Sequence, residues 1–239
     1  MDNNIKLPFL DKYSRVARLY PALITLVPVF LLTLGVTQNE LTKILGDIMA
    51  IQVAGCISIN VAALFLLIQA NRFISKEIFE RWYFEDELRM PTTEMLLPAS
   101  TQMSPQFRSK VDTLCQRDFG LPLPTIEEQR KDDMLARRQI TDIVAQIRQK
   151  VRDGTLLLQH NIEYGFVRNL IGGAPLGIIA SIICALYFYA ESRAVAIFSV
   201  VLVVLWSGLL LFSKTIIGRF GVLYAKRLIQ EYVGGMKTK

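Results

Sequence analysis

The chain has 239 residues, of which 52% are hydrophobic, with a formal charge of +6 and a mean hydropathy of +0.35. It is too apolar for an ordinary soluble domain of this length. Three scattered cysteines and a single histidine give no disulfide framework and no metal or redox spacing.

Four apolar runs follow in chain order, at 19–36, 48–70, 170–190 and 194–217. Each approaches the ~20 residues that a helix needs to cross the ~30 Å hydrocarbon core. Lipid offers no partner to unpaired backbone groups, so such spans must be helices. The pattern predicts an all-α integral membrane protein with four transmembrane helices in two hairpins and a helical cytosolic insert between them. The expected divisions are 1–70 (flank and first hairpin), 71–169 (insert) and 170–239 (second hairpin and a basic C-terminal helix). A signal peptide would also explain the basic start and first run. No small-x-small cleavage site follows cleanly, and Tyr20, Pro21 and Pro28 suit a kinked span with an aromatic belt better.

The charges orient the spans. The flank before the first run carries +2, the flank from Lys214 carries +5, and the connector between the third and fourth runs is only Glu191-Ser192-Arg193. The positive-inside rule then puts both termini and the insert in the cytoplasm, in the bacterial inner membrane on the resemblance given below.

The second run is the most polar. Gln52, Cys56 and Asn60 recur every four residues and share one helix face. Amides within a membrane either line a water-filled path or bond neighbouring helices, and the pattern fits both. In the third run Gly173, Gly177, Ser181 and Ala185 form a ridge of small residues suited to close helix packing, in this chain or with a second copy. The fourth run is almost uniformly apolar and is the expected lipid-facing helix.

The insert reads as helical. A continuation of the second span is expected to end at Pro91, and a loop to follow to about Met103. Ser104-Pro105 starts a helix that ends at Gly120. Thr125-Ile126-Glu127-Glu128 has capping-box spacing, and the helix it opens should run to about Asp153. Ala136, Ile140, Val144, Ile147 and Val151 mark its apolar face.

No catalytic or metal-binding constellation is legible, and no cofactor is implied. The insert holds fifteen basic and fifteen acidic residues between Arg72 and Arg168. Its basic clusters are Arg137-Arg138 and Arg148, Lys150 and Arg152. Arg148 and Arg152 lie one turn apart, spaced to clamp a phosphate of a nucleotide or oligonucleotide, or else to form ion pairs on a solvated face. His160, Tyr164 and Arg168 lie just before the third run, as couplers of the insert to that helix or as an interfacial anchor.

Two short hairpins around a helical insert resemble small multipass effectors of bacterial antiphage systems, of the Hailong or cyclic-oligonucleotide-signalling kind. There a nucleotide-polymerising partner controls a membrane channel. The resemblance is one of layout and carries no residue across. It implies a homo-oligomeric, nucleotide-gated ion channel or pore that depolarises the membrane, with a nucleotidyltransferase as cytosolic partner. A non-conducting scaffold that recruits a cytosolic protein is the other reading.

Overall fold

In a computed structural model, residues 11–33, 49–151 and 155–235 are described, with side chains outside 49–60, 78, 79, 155 and 156. All regular structure among them is helical. The helices fall into two compact units, one from Met1–Lys76 and Gly165–Ser213, the other from Glu77–Tyr164 and Lys214–Lys239.

The first unit holds the apolar helices. π-Helical turns at Ser14–Leu19 lead into α1 (Tyr20–Thr25), which bends by 46° into α2 (Val27–Thr33). Pro28 lacks the N–H that would bond Ile24, and its ring crowds that carbonyl, which accounts for the expected kink. α3 (Met49–Phe73) runs into further π-helical turns at Ile74–Glu80.

α9 (Thr155–Glu191) is one helix of 37 residues, far longer than the expected third span, with Pro175 inside it. It stops at Glu191, and α10 (Arg193–Leu211) starts two residues later. α9 and α10 are each long and apolar enough to cross a membrane, and the bent α1–α2 pair makes a third candidate. Only 11% of the α10 window is buried.

The register of this unit follows from its contacts. Gly177 packs under the Trp206 ring, so α9 and α10 run antiparallel about Ser192. Gly165 meets Tyr13 and Ala17, and Gly173 meets Thr25, so α1 and α9 run parallel. Gly172 lies against Asn71 and Ser75, and Gly173 against Asn71, so α3 runs opposite to both.

The second unit packs α5 (Pro91–Leu96), α6 (Pro105–Phe119), α7 (Ile126–Lys131), α8 (Asp133–Lys150) and the start of α9 around α11 (Ser213–Gly234). Its core includes Met95, Leu96, Val111, Leu114, Ile140, Ile143, Val144, Ile147, Leu228 and Ile229. The α8 stripe read from the sequence is therefore core. The basic C-terminal helix contributes Ala225, Leu228, Ile229 and Tyr232 to this core, so it shares a compact unit with the insert.

Local signals explain the helix ends. Ser104 caps α6 by accepting from Phe107 N, and Gly120 closes it at φ 69°, which glycine adopts without a Cβ clash. Thr125 and Glu128 form both bonds of the capping box.

Three expectations need correction. The helix after Thr125 breaks at Asp132, whose side chain accepts from Leu135 N and caps a new helix. The stretch from Pro91 to Met103 begins with a helix, α5, because Pro91 supplies a preset first position. The continuation of the second span ends at α4 (Arg81–Phe84), before Pro91. Glu85, Asp86 and Glu87 then take left-handed backbone at φ 45°, 53° and 75°. Ion pairs Arg81–Asp86 (3.0 Å), Arg89–Glu85 (2.9 Å) and Arg148–Glu87 (3.3 Å) hold this turn.

Candidate functional site

The most constrained polar cluster of the first unit joins α1, α3 with the π-helical turns after it, and α9. Thr25 Oγ1 donates to the Pro21 carbonyl (2.8 Å) and accepts from Asn71 Nδ2 (3.2 Å). Asn169 Nδ2 donates to the Ala17 carbonyl (2.6 Å). The Ser75 hydroxyl is shared between the Arg72 carbonyl (2.9 Å) and Asn169 Oδ1 (3.2 Å). Thr25, Asn71, Ser75 and Asn169 are all buried. Buried polar groups are costly unless bonded, so this knot fixes the mutual register of three helices.

Gly172 and Gly173 make the knot possible. A Cβ at Gly172 would stand 2.1 Å from the Asn71 carbonyl oxygen, and one at Gly173 would stand 2.2 Å from Thr25 Oγ1. The sequence reading missed the knot. Its signal was a pair of amides, Asn71 and Asn169, each at the end of an apolar run and next to an arginine.

The small-residue ridge divides. Gly173 serves the knot and Gly177 seats Trp206, so both have their neighbours within this chain. Ser181 is buried and donates to the Gly177 carbonyl (2.6 Å), while Ala185 is only half-buried. Gln52, Cys56 and Asn60 fall within α3, but their side chains lie outside the described residues.

Three of the described α8 cations are paired with acids. Arg137 Nη1 donates to Glu94 (2.6 Å) and to the Leu88 carbonyl (3.1 Å), and its Nε donates to Asp133 (2.6 Å). Burial disfavours its charge, but the bonds to Asp133 and Glu94 outweigh that and raise its pKa. Arg138 is exposed beside it. Arg148 pairs with Glu87, and Lys150 with Asp118 (2.5 Å). Arg152 lies outside the described residues. Asp133 opposes Arg137 from one turn away on α8, while Glu94, Asp118 and Glu87 come from α5, α6 and the left-handed turn, which no local spacing reveals.

Asp118 is the busiest carboxylate of the second unit. It accepts from Lys150 (2.5 Å), Arg117 (2.7 Å) and the Tyr232 hydroxyl (3.0 Å). Burial opposes its charge, but these bonds outweigh burial and hold its carboxyl at about 2. Phe119 and Tyr232 stack at 5.8 Å, with Lys150 Nζ 5.7 and 5.9 Å from the two ring centres. Burial pushes the neighbouring Cys115 thiol up to about 11, which makes it a poor nucleophile.

The three coupling residues separate along α9. His160 Nδ1 lies 3.5 Å from Glu163. Tyr164 donates to Glu80 (2.6 Å) and stacks on Tyr224. Arg168 sits next to the knot residue Asn169. Among the described residues no group of three His, Cys, Asp or Glu is arranged to hold a metal ion. In comparisons with known proteins, the chain matches no family model, no curated protein and no solved structure.

Proposed function

We propose that the chain crosses the membrane four times, with α3 as the remaining span, and assembles into a homo-oligomer that conducts ions between its copies. The observation that carries this reading is the closed interior of the chain's own bundle. Backbone-close contacts at Gly172 and Gly173, and the Trp206 ring on Gly177, leave little room for a path through one copy. α10 and the outer face of α9 are exposed and apolar, at Ile183, Leu186, Ile197 and Val204 for example, and are available to lipid or to a second copy. The amides Gln52 and Asn60 are the polar surface that the sequence provides for a path on a symmetry axis.

Arg18, Arg72 and Arg168 each border an apolar run beside the polar knot, which supports that side of the bundle as the cytoplasmic one. The second unit is then the gate. Arg137, Arg148 and Lys150 of α8 are engaged with acids of the same unit, which favours control by a partner protein over a nucleotide bound on α8. Either controller works only by binding the open and closed states unequally. The resemblance of layout supplies the setting: bacterial antiphage defence, with membrane depolarisation as the output.

The engaged cations also suit the second reading, a non-conducting scaffold whose insert recruits a cytosolic protein. Purified full-length protein in a planar bilayer decides between them. Discrete ionic currents support the channel, and silence under every condition supports the scaffold.

A further inference from the structure

A cavity of about 400 Å³ opens between α5, the start of α6 and α11, all within the second unit. That volume lies near the lower end of the range for ligand pockets, roughly 300–1,000 Å³. Its apolar walls are Met95 and Ile229, which are buried in the core, and Met103 and Phe107, which pack against it. Methionine side chains are unbranched and adapt to an apolar guest. The polar rim is biased toward donors. Ser104 Oγ already accepts from Phe107 N (3.3 Å), and Gln230 Oε1 already accepts from Arg227 Nη1 (3.2 Å). The Ser104 hydroxyl proton and the Gln230 amide N–H groups remain to be donated. Lys226 can only donate; it is exposed, and among the described residues no acid pairs with it. That sets it apart from Arg137, Arg148 and Lys150, which acids of the same unit hold. No acid lines the cavity, and Gln102 alone among its lining side chains keeps an unengaged amide oxygen.

We propose that this cavity binds a single-chain amphiphile with an anionic head. Its chain lies between Met95, Met103, Phe107 and Ile229, and its carboxylate or phosphate meets Lys226, Ser104 and Gln230. An ammonium and two neutral donors suit an anion, and the apolar walls gain by covering its chain. The volume suits one chain rather than the two of a phospholipid. A nucleotide fits less well. Phe107 is the one ring lining the cavity, so no second ring sandwiches a base, and a base edge asks for acceptors that the rim offers only at Gln102. The walls come from α11 on one side and from α5 and α6 on the other, so the guest ties the C-terminal helix to the insert. This proposal does not depend on whether the protein conducts.

The test uses full-length protein in nanodiscs of neutral phosphatidylcholine and a palmitate that carries a diazirine on its chain. After irradiation, peptide mass spectrometry locates the label. Adducts are expected on the segments of α5, α6 and α11 that carry the four wall residues. Adducts on α9 and α10, from probe dissolved in the bilayer, serve as the internal standard. Laurate and dodecyl phosphate should both compete for the cavity adducts, and the stronger of them identifies the head that the rim prefers. Dodecanol and adenosine monophosphate should not compete. Lys226→Gln should lower cavity labelling about fivefold against the standard, through loss of one charge-assisted contact. Met103→Trp fills the cavity from its half-buried rim and should lower labelling as well, a second readout should one variant fold poorly. Arg219→Gln removes an exposed cation of α11 that does not line the cavity and should leave labelling unchanged. An absence of cavity adducts in the wild type, or unchanged labelling in Met103→Trp, would overturn the site. Unchanged labelling in Lys226→Gln, equal loss in Arg219→Gln, failure of both anions to compete, or equal competition by dodecanol would overturn the anionic head. Competition by adenosine monophosphate would overturn the single chain as the occupant.

Discussion

Tyr232, near the end of α11, donates its hydroxyl to the Asp118 carboxylate near the end of α6, 3.0 Å away. Lys150 of α8 reaches the same carboxylate oxygen. One acid therefore ties three helices of the second unit together, and the helix that follows α10 is fastened to the insert through its side chain. Removing the Tyr232 hydroxyl as Tyr232→Phe should cost about 1 kcal/mol, the usual net worth of such a bond. Thermal melting of the full chain in detergent measures it.

The same acid gives the unit a pH dependence with a definite sign. The folded pKa of Asp118, about 2, lies below its ordinary 3.8. Its contribution is complete above the unfolded value and is lost as the pH falls through the folded one. Asp118→Asn should therefore cost about 2 kcal/mol at neutral pH and much less near the folded pKa. Backbone hydrogen exchange in α11, compared between wild type and variant at both pH values, checks this. An undiminished cost in acid contradicts it.

Glycines of the bundle divide by what surrounds them. Gly172→Ala and Gly177→Ala force a Cβ to 2.1 Å from a backbone oxygen and to 2.6 Å from the Trp206 ring. Overpacking of this kind costs about 1–3 kcal/mol, and more where backbone must move. At Gly208, within α10, a Cβ meets nothing within 4 Å. There alanine should raise stability by up to about 1 kcal/mol through helix propensity. Melting temperatures of the three variants in one detergent rank them.

The α8 arginines should behave oppositely to their sequence equivalence. Arg137 holds Glu94, Asp133 and the Leu88 carbonyl, so Arg137→Ala should destabilise the second unit by about 2–3 kcal/mol. Arg138→Ala should stay within about 0.5 kcal/mol of wild type. Equal, negligible effects on melting would restore the pair as surface cations available to a ligand.

The left-handed turn makes a counterintuitive case. Asp86→Gly removes an exposed ion pair with Arg81, worth little, and relieves a backbone conformation at φ 53° that costs roughly 1 kcal/mol. The variant should be as stable as wild type or more so, by the same melting assay. A marked loss would show that the Arg81–Asp86 pair carries the turn.

Legibility followed the range of the signal. Pro28, Ser104, Gly120 and the Thr125–Glu128 pair act on neighbouring backbone, and their effects stood in the sequence. So did the α8 stripe, whose period is that of the helix. Asp132 was read within a helix, because its capping bond to Leu135 competes with helical continuation through a choice that composition does not settle. The distant partners of Arg137, Arg148 and Lys150 were hidden for another reason: Glu94, Glu87 and Asp118 are brought opposite only by the fold of the second unit, whereas Asp133 stands one helical turn from Arg137. The ridge at Gly173 and Gly177 showed close packing without its neighbour, and the contacts with Thr25, Asn71 and Trp206 supply it.

Single-channel recording of wild type and a Gln52→Leu/Asn60→Leu double variant, both first shown to have the same oligomeric size, tests the central claim most directly. The account predicts discrete currents from the wild type and their loss or a severe reduction in the variant. Unchanged currents in the variant would contradict the second span as the lining of the path, and an absence of current from the wild type would contradict conduction itself.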